Sequence, residues 1–356
     1  MILRTRLLRR AVVSTLTLGL VAAGSAGLAG AATVQKGQPK LPTATLNGSG
    51  STLTEAFLQQ VIAEFKTAQP NITVNYGAGG SGKGRQDFVA GVDQFGASDA
   101  PYGAGQALPT MPFDYIPTIV SPVAVTFNVS GVKSLKLDAP TIAGIFDGTT
   151  TTWNDPTIKA LNPKVNLPSQ KITICRRSDS SGTTQNFTTY LQVAAGAKWT
   201  LGEGPTVNWP ASSVGNNGNT AVASCVKTTA GGVGYNDFSD AQAAALKMAS
   251  VKNASGVYIA PTIATATAAL VGVKLAPNLT YDPLNTKNKG GYPITSPTWL
   301  LVYSTQPSAA VGNAVKAFLT YIEDNSTKLA PQVGYAAVPS SFQKAALSAI
   351  AKIQVG

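Results

Sequence analysis

The run Arg176-Arg177-Ser178-Asp179-Ser180-Ser181-Gly182-Thr183-Thr184 sets two guanidiniums, a carboxylate, hydroxyls and a glycine directly ahead of an amphipathic stretch. That make-up suits an anion socket. A helix start offers unpaired backbone N–H groups and partial positive charge, so Ser181, Gly182 and Thr183 placed there can grip a tetrahedral oxyanion while Arg177 neutralises it. Serine-, glycine- and threonine-rich turns also begin ordinary helices, so this run by itself leaves simple capping open.

Other turns have a similar character. Gly48-Ser49-Gly50-Ser51-Thr52-Leu53 precedes a helical pattern and could present the Thr52 hydroxyl and Leu53 N–H to an anion, or merely cap the helix. Gly77-Ala78-Gly79-Gly80-Ser81-Gly82-Lys83-Gly84 nearly matches a nucleotide P-loop, but Gly84 stands where a magnesium-holding serine or threonine is required. Its N–H groups, gathered around Ser81, could cradle a smaller anion. Phe95-Gly96-Ala97-Ser98-Asp99-Ala100-Pro101 sets a carboxylate just past a strand end, where α/β sheets place ligand groups or where a surface turn begins.

Composition narrows the chemistry. The chain has no histidine and two cysteines, which excludes Ser-His-Asp and Cys-His catalysis, histidine zinc sites and an all-thiolate metal site. Residues 1–31 combine Arg4, Arg6, Arg9 and Arg10 with an apolar run and a small-residue end, the pattern of a secretory signal peptide. Arg9-Arg10 suits either twin-arginine export or an ordinary basic leader. Loss of the leader takes the formal charge from +11 to +7. The remaining Lys133, Lys136, Lys159, Lys164, Lys247 and Lys252 are scattered, which reads as a solvated surface rather than a nucleic-acid groove. No later run is long and apolar enough for a membrane span. Export also favours pairing Cys175 with Cys225 over two buried thiols, and that bridge would brace Arg176 and Arg177.

These residues need elements to hold them. Residues 32–43 read as a polar, mobile linker. Strands are expected at 44–46, 72–76, 94–97, 115–128, 171–176, 232–235 and 299–303. Helices are expected at 54–69, 141–146, 155–161, 184–194, 220–227, 309–325 and 342–353, with a short one through Phe88 and Val89. The alternation predicts α/β layers with parallel sheets, and more than 300 mature residues predict two lobes.

Taken in order, the 95–101 motif, Ala160-Leu161-Asn162-Pro163 with Leu167-Pro168-Ser169-Gln170, Arg176-Arg177 with Ser181-Gly182-Thr183, Val207-Asn208-Trp209-Pro210 and Tyr292-Pro293-Ile294-Thr295-Ser296 resemble the Pst-type phosphate-binding proteins of ABC phosphate importers. The resemblance runs from Leu46 to the end. It implies a two-lobed type II periplasmic binding protein fold, each lobe a sheet flanked by helices, with ligand in the interlobe cleft. Lobe 1 would comprise 44–120 and 292–356, and lobe 2 would comprise 121–291. Carried over residue by residue, it implies phosphate contacts from Thr52, the Leu53 N–H, Ser81 and Asp99 on one side. Arg177, Ser181, the Gly182 N–H and Thr183 would face them, with Asp179 orienting the arginine. Leu53, where an aromatic is common, and Ser180, where glycine is common, depart from the family pattern.

A carboxylate among anion donors makes sense for a ligand that carries a proton. Hydrogen phosphate can donate to Asp99, whereas sulfate has no proton to give and meets repulsion. The resemblance further implies a monomeric, non-enzymatic periplasmic or secreted protein without cofactor or metal. Its partners would be inorganic phosphate and an importer's permease and ATPase, and it would close about segments near 118–123 and 292–298. Binding of another oxyanion, a secreted scavenger, or hydrolysis with Ser181 as nucleophile are the alternatives.

Overall fold

A computed structural model describes residues 40–356 apart from residue 104. The leader expected over 1–31, and the linker as far as 39, lie outside the described residues. The rest of that linker is tied down. Leu41 donates its N–H to Gln69 Oε1 (3.1 Å) and accepts from Asn71 Nδ2 (3.0 Å), so side chains flanking a turn hold this extended segment to the body.

The chain opens with β1 (Ala44–Gly50), α1 (Glu55–Ala68), β2 (Ile72–Ala78), α2 (Ser81–Val89) and β3 (Phe95–Ser98). Helix α1 forms because Phe57, Leu58, Val61 and Phe65 recur at helical spacing and bury one face, with Glu55 and Lys66 complementing the dipole at the two ends. Strand β1 is longer than expected, since Gly48, Ser49 and Gly50 pair in parallel with both β2 and β3. Their spacing offers little hydrophobic periodicity, so the sequence reads as turn where two neighbours impose a strand.

Strand β4 (Phe113–Asn128) is 16 residues long and leaves the first half for the second. There follow β5 (Lys136–Leu137), α3 (Ala139–Phe146), α4 (Pro156–Leu161), β6 (Thr173–Arg177), α5 (Gly182–Ala194), β7 (Val214–Asn216), α6 (Asn219–Thr228), β8 (Gly232–Asp237) and α7 (Phe238–Ala243). Three short strands, β9 (Lys247–Met248), β10 (Ser250–Lys252) and β11 (Tyr258–Ile259), precede α8 (Ile263–Ala269). The chain returns through β12 (Thr295–Tyr303) and β13 (Thr305–Gln306), then finishes with α9 (Ala309–Leu329), β14 (Ala336–Ala337), α10 (Ser340–Lys352) and β15 (Gln354–Val355).

The fold is α/β and two-lobed, but its strands are not all parallel. In the order β2-β1-β3-β12-β4-β8-β6-β7, the outer members pair in parallel, whereas β12 and β4 run antiparallel to each other and to their other neighbours. The physical reason is the double crossing. β4 carries the chain from one half to the other and β12 carries it back, so the two must lie side by side in opposite directions. Their pairing is irregular between Pro297 and Trp299, and Pro117, Pro122 and Pro297 each remove a ladder donor.

Candidate functional site

Helix α5 begins at Gly182, two residues ahead of the expected start at 184. Ser181 caps it, its Oγ accepting the N–H of Thr184 (3.0 Å), which leaves the Gly182 and Thr183 N–H groups as the first donors of the helix without an intrahelical partner. The strand before it, β6, holds Arg177 in place from behind. Tyr235 of β8 stacks on Phe187 at 4.6 Å, and its hydroxyl accepts the Arg177 N–H (3.0 Å) and bonds Thr184 Oγ1 (2.7 Å). Cys175 and Cys225 form a disulfide that ties β6 to α6.

Arg177 is 3% exposed, and its guanidinium is fixed on three sides. Nε donates to Asp179 Oδ1 (2.7 Å), Nη2 donates to Asp179 Oδ2, and Nη1 donates to Asn219 Oδ1 (2.6 Å). Of five N–H donors, one on each Nη remains. Asp179 also accepts the Gly218 N–H (3.2 Å). Its burial works to raise its pKa, but the hydrogen bond and charge of Arg177 win and hold it below the ordinary value.

The opposite wall is built on β1, α2 and β3. Asp99, just past β3, is 1% exposed. Its Oδ1 accepts from Ser51 Oγ and its Oδ2 from Ser81 Oγ (3.2 Å), while the Asp99 N–H donates back to Ser81 Oγ (3.1 Å). Desolvation dominates and pushes the Asp99 carboxyl up to about 6, against the hydroxyl of Ser51, the charge of Arg177 and the hydroxyl of Ser81.

The two walls meet. A Cβ built on Gly182 would lie 2.4 Å from Ser81 Oγ and 2.7 Å from Asp99 Cβ, and one on Gly80 would lie 2.4 Å from Asp179 Oδ2. Only glycine permits these approaches. Thr52 Oγ1 accepts the Asn219 N–H from the start of α6 (3.3 Å), Gly82 N–H donates to Ser180 O (2.9 Å), and Asn186 Nδ2 reaches Asp99 O (2.7 Å) and Ser296 Oγ (2.9 Å). The starts of α2, α5 and α6 thus converge on one place with Arg177 and Asp99, an arrangement that can wrap an oxyanion in donors while one carboxylate asks the ligand for a proton.

All the predicted residues belong to this neighbourhood, with some differences of detail. The Leu53 N–H is already given to Ser51 Oγ (3.0 Å), so a ligand would share it. The glycine-rich turn does not form an open cradle, because the Gly79 and Gly80 N–H groups both donate to Gly50 O (2.9 and 2.8 Å). Lys83 is turned to Asp87 (2.6 Å). Sequence reading missed Ser51, Asn186 and Asn219. Asn219 bonds Arg177, Thr52 and Thr183 (Nδ2 to Oγ1, 3.2 Å), and the signal available was Gly218-Asn219 ahead of a helical stretch. Among the described residues no cluster of His, Cys, Asp or Glu could hold a metal ion, and no helix is long and apolar enough to cross a membrane.

The family model of the PBP superfamily domain matches residues 30–325. Phosphate-binding protein PstS 3 of Mycobacterium tuberculosis is 36% identical over 321 residues, covering 86% of each chain. The chain belongs to the Pst-type phosphate-binding proteins. PstS of Methanocaldococcus jannaschii is 33% identical over 360 residues, covering 92% of each chain. Among solved structures, the periplasmic phosphate-binding protein PfluDING superposes with a TM-score of 0.70 at 23% identity, covering 86% of this chain and 93% of the other. An ancestral soluble variant of the human phosphate-binding protein gives 0.69 at 21% identity over 85% and 93%. These likenesses carry the two-lobed Pst-type fold.

Proposed function

We propose that this chain binds inorganic phosphate, as the protonated hydrogen phosphate ion, between its two lobes and delivers it to the permease and ATPase of an ABC importer. The observation that carries the reading is Asp99, a buried carboxylate set among hydroxyl donors and directly against the start of α5. A dehydrated anion needs every oxygen served by a donor. One acceptor in that shell favours an ion that can give back a proton. The contact set is Thr52, Leu53, Ser81 and Asp99 from lobe 1 (44–120 and 292–356) with Arg177, Ser181, Gly182 and Thr183 from lobe 2 (121–291), supported by Asp179. Ser181 Oγ is engaged as a helix cap, which suits a binding role better than a nucleophilic one.

The proline-bearing crossing of β4 and β12 is the hinge of this reading, and ligand contacts drawn from both lobes favour closure. The protein acts as a monomeric, exported, non-enzymatic carrier of the cell envelope. Calorimetric titration with phosphate, arsenate and sulfate tests the proposal. Phosphate and arsenate should each bind once per chain and sulfate at least about 100-fold more weakly. Sulfate binding as tight as phosphate, or no phosphate binding, refutes it.

A further inference from the structure

Arg85, on α2, is a buried cation that the phosphate socket does not use. It is 3% exposed, and the ion pairs among the described residues, Lys83 with Asp87 and Arg177 with Asp179, do not include it. Its Nη1 donates to Ser98 Oγ (2.7 Å) and Ala100 O (3.1 Å), the ring of Tyr102 lies 5.9 Å from the guanidinium, and Nη2 has no partner. Burial lowers its pKa against the opposing influence of Tyr102, Asp99 and Tyr115, yet an arginine stays charged at neutral pH. A buried charge with no carboxylate in direct contact is costly.

Arg85 forms part of the wall of a cavity of about 240 Å³. Gln86, Tyr102, Gln106, Gly82 and Ser180 complete most of the wall, and among the described residues no aspartate or glutamate lines it. Gln106 spends its Oε1 on the Gly103 N–H (2.8 Å), which leaves its amide NH₂ as a donor. Gly82 and Ser180 come from opposite halves and are joined by a hydrogen bond (2.9 Å), and each adjoins a socket residue, Ser81 and Ser181. We infer that this cavity is a second anion site, at the rim of the socket, for a small fully ionised oxyanion. Where Asp99 turns sulfate away inside, the outer wall has no carboxylate to do so. An anion held there touches both halves and favours the closed arrangement.

Equilibrium dialysis with radiolabelled sulfate tests this on the full chain. The wild type should retain one sulfate, with or without one equivalent of inorganic phosphate. Gln86→Glu, an isosteric change at an exposed helix position, should weaken retention at least about tenfold by adding a carboxylate to the wall. Arg85→Gln should do the same, and the milder Gln86→Glu keeps the test valid where loss of the Ser98 and Ala100 contacts unfolds the chain. No retention by the wild type, displacement by one equivalent of phosphate, or unchanged retention in Gln86→Glu overturns the inference. The inner socket is tested separately by phosphate titration, so the two readings fail independently.

Discussion

Asp99→Asn removes the charge at the centre of the socket while keeping its shape. Burial lifts the Asp99 carboxyl from 3.8 to about 6, a rise worth about 3 kcal/mol. The sign follows from proton counts. Between those two values the folded chain holds a proton that the unfolded chain has released, so stability declines as pH rises through that window, and the penalty is complete above about 6. Asparagine does not titrate. Denaturant unfolding of the ligand-free variant should therefore show a gain over wild type of about 3 kcal/mol near pH 7.5 that shrinks towards zero near pH 4. Ligand discrimination should change as well. Asparagine can donate an N–H to sulfate as readily as its oxygen accepts from hydrogen phosphate, so competition calorimetry should find the phosphate preference reduced by at least about tenfold. In the wild type, acidification through about 6 should erode the same preference, because a protonated Asp99 becomes a donor. A stability difference that is the same at both pH values, or a selectivity ratio untouched by the substitution, would refute the desolvated-acid reasoning.

Gly182→Ala places a methyl group 2.4 Å from Ser81 Oγ. It should cost about 10- to 100-fold in phosphate affinity, and phosphate should no longer compact the small-angle scattering profile of the variant. Asn219→Ala strips Arg177 Nη1 of its acceptor and Thr183 of its neighbour, so affinity should fall by about 10- to 100-fold in the same titration. Cysteines 175 and 225 are 50 residues apart, and replacing both with alanine should lower the unfolding free energy by roughly 4 kcal/mol in denaturant titration.

Much of the socket was legible because its chemistry is local. Ser181-Gly182-Thr183 ahead of an amphipathic stretch specifies a capped helix start, since the hydroxyl of one residue reaches the N–H of another three positions on. Apolar spacing likewise located the helices α1, α5 and α9, and missing histidines excluded whole classes of catalysis without any fold at all. Ser49 and Gly50 were read as turn, because their strand character comes from neighbours on both sides rather than from their own preferences.

Tertiary structure alone decided which turns share a space. Gly182 stands 83 positions from Asp99 yet lies against it, and Asn219 joins Thr52 and Arg177 although nothing in its own stretch distinguishes it from a cap. The antiparallel crossing of β4 and β12 was equally invisible to local pattern, because strand direction follows from the path of the chain between halves. Short-range hydrogen bonding and periodicity are written in neighbouring residues. Convergence of three helix starts on one site depends on contacts between segments far apart in sequence, and those exist only once the chain has folded.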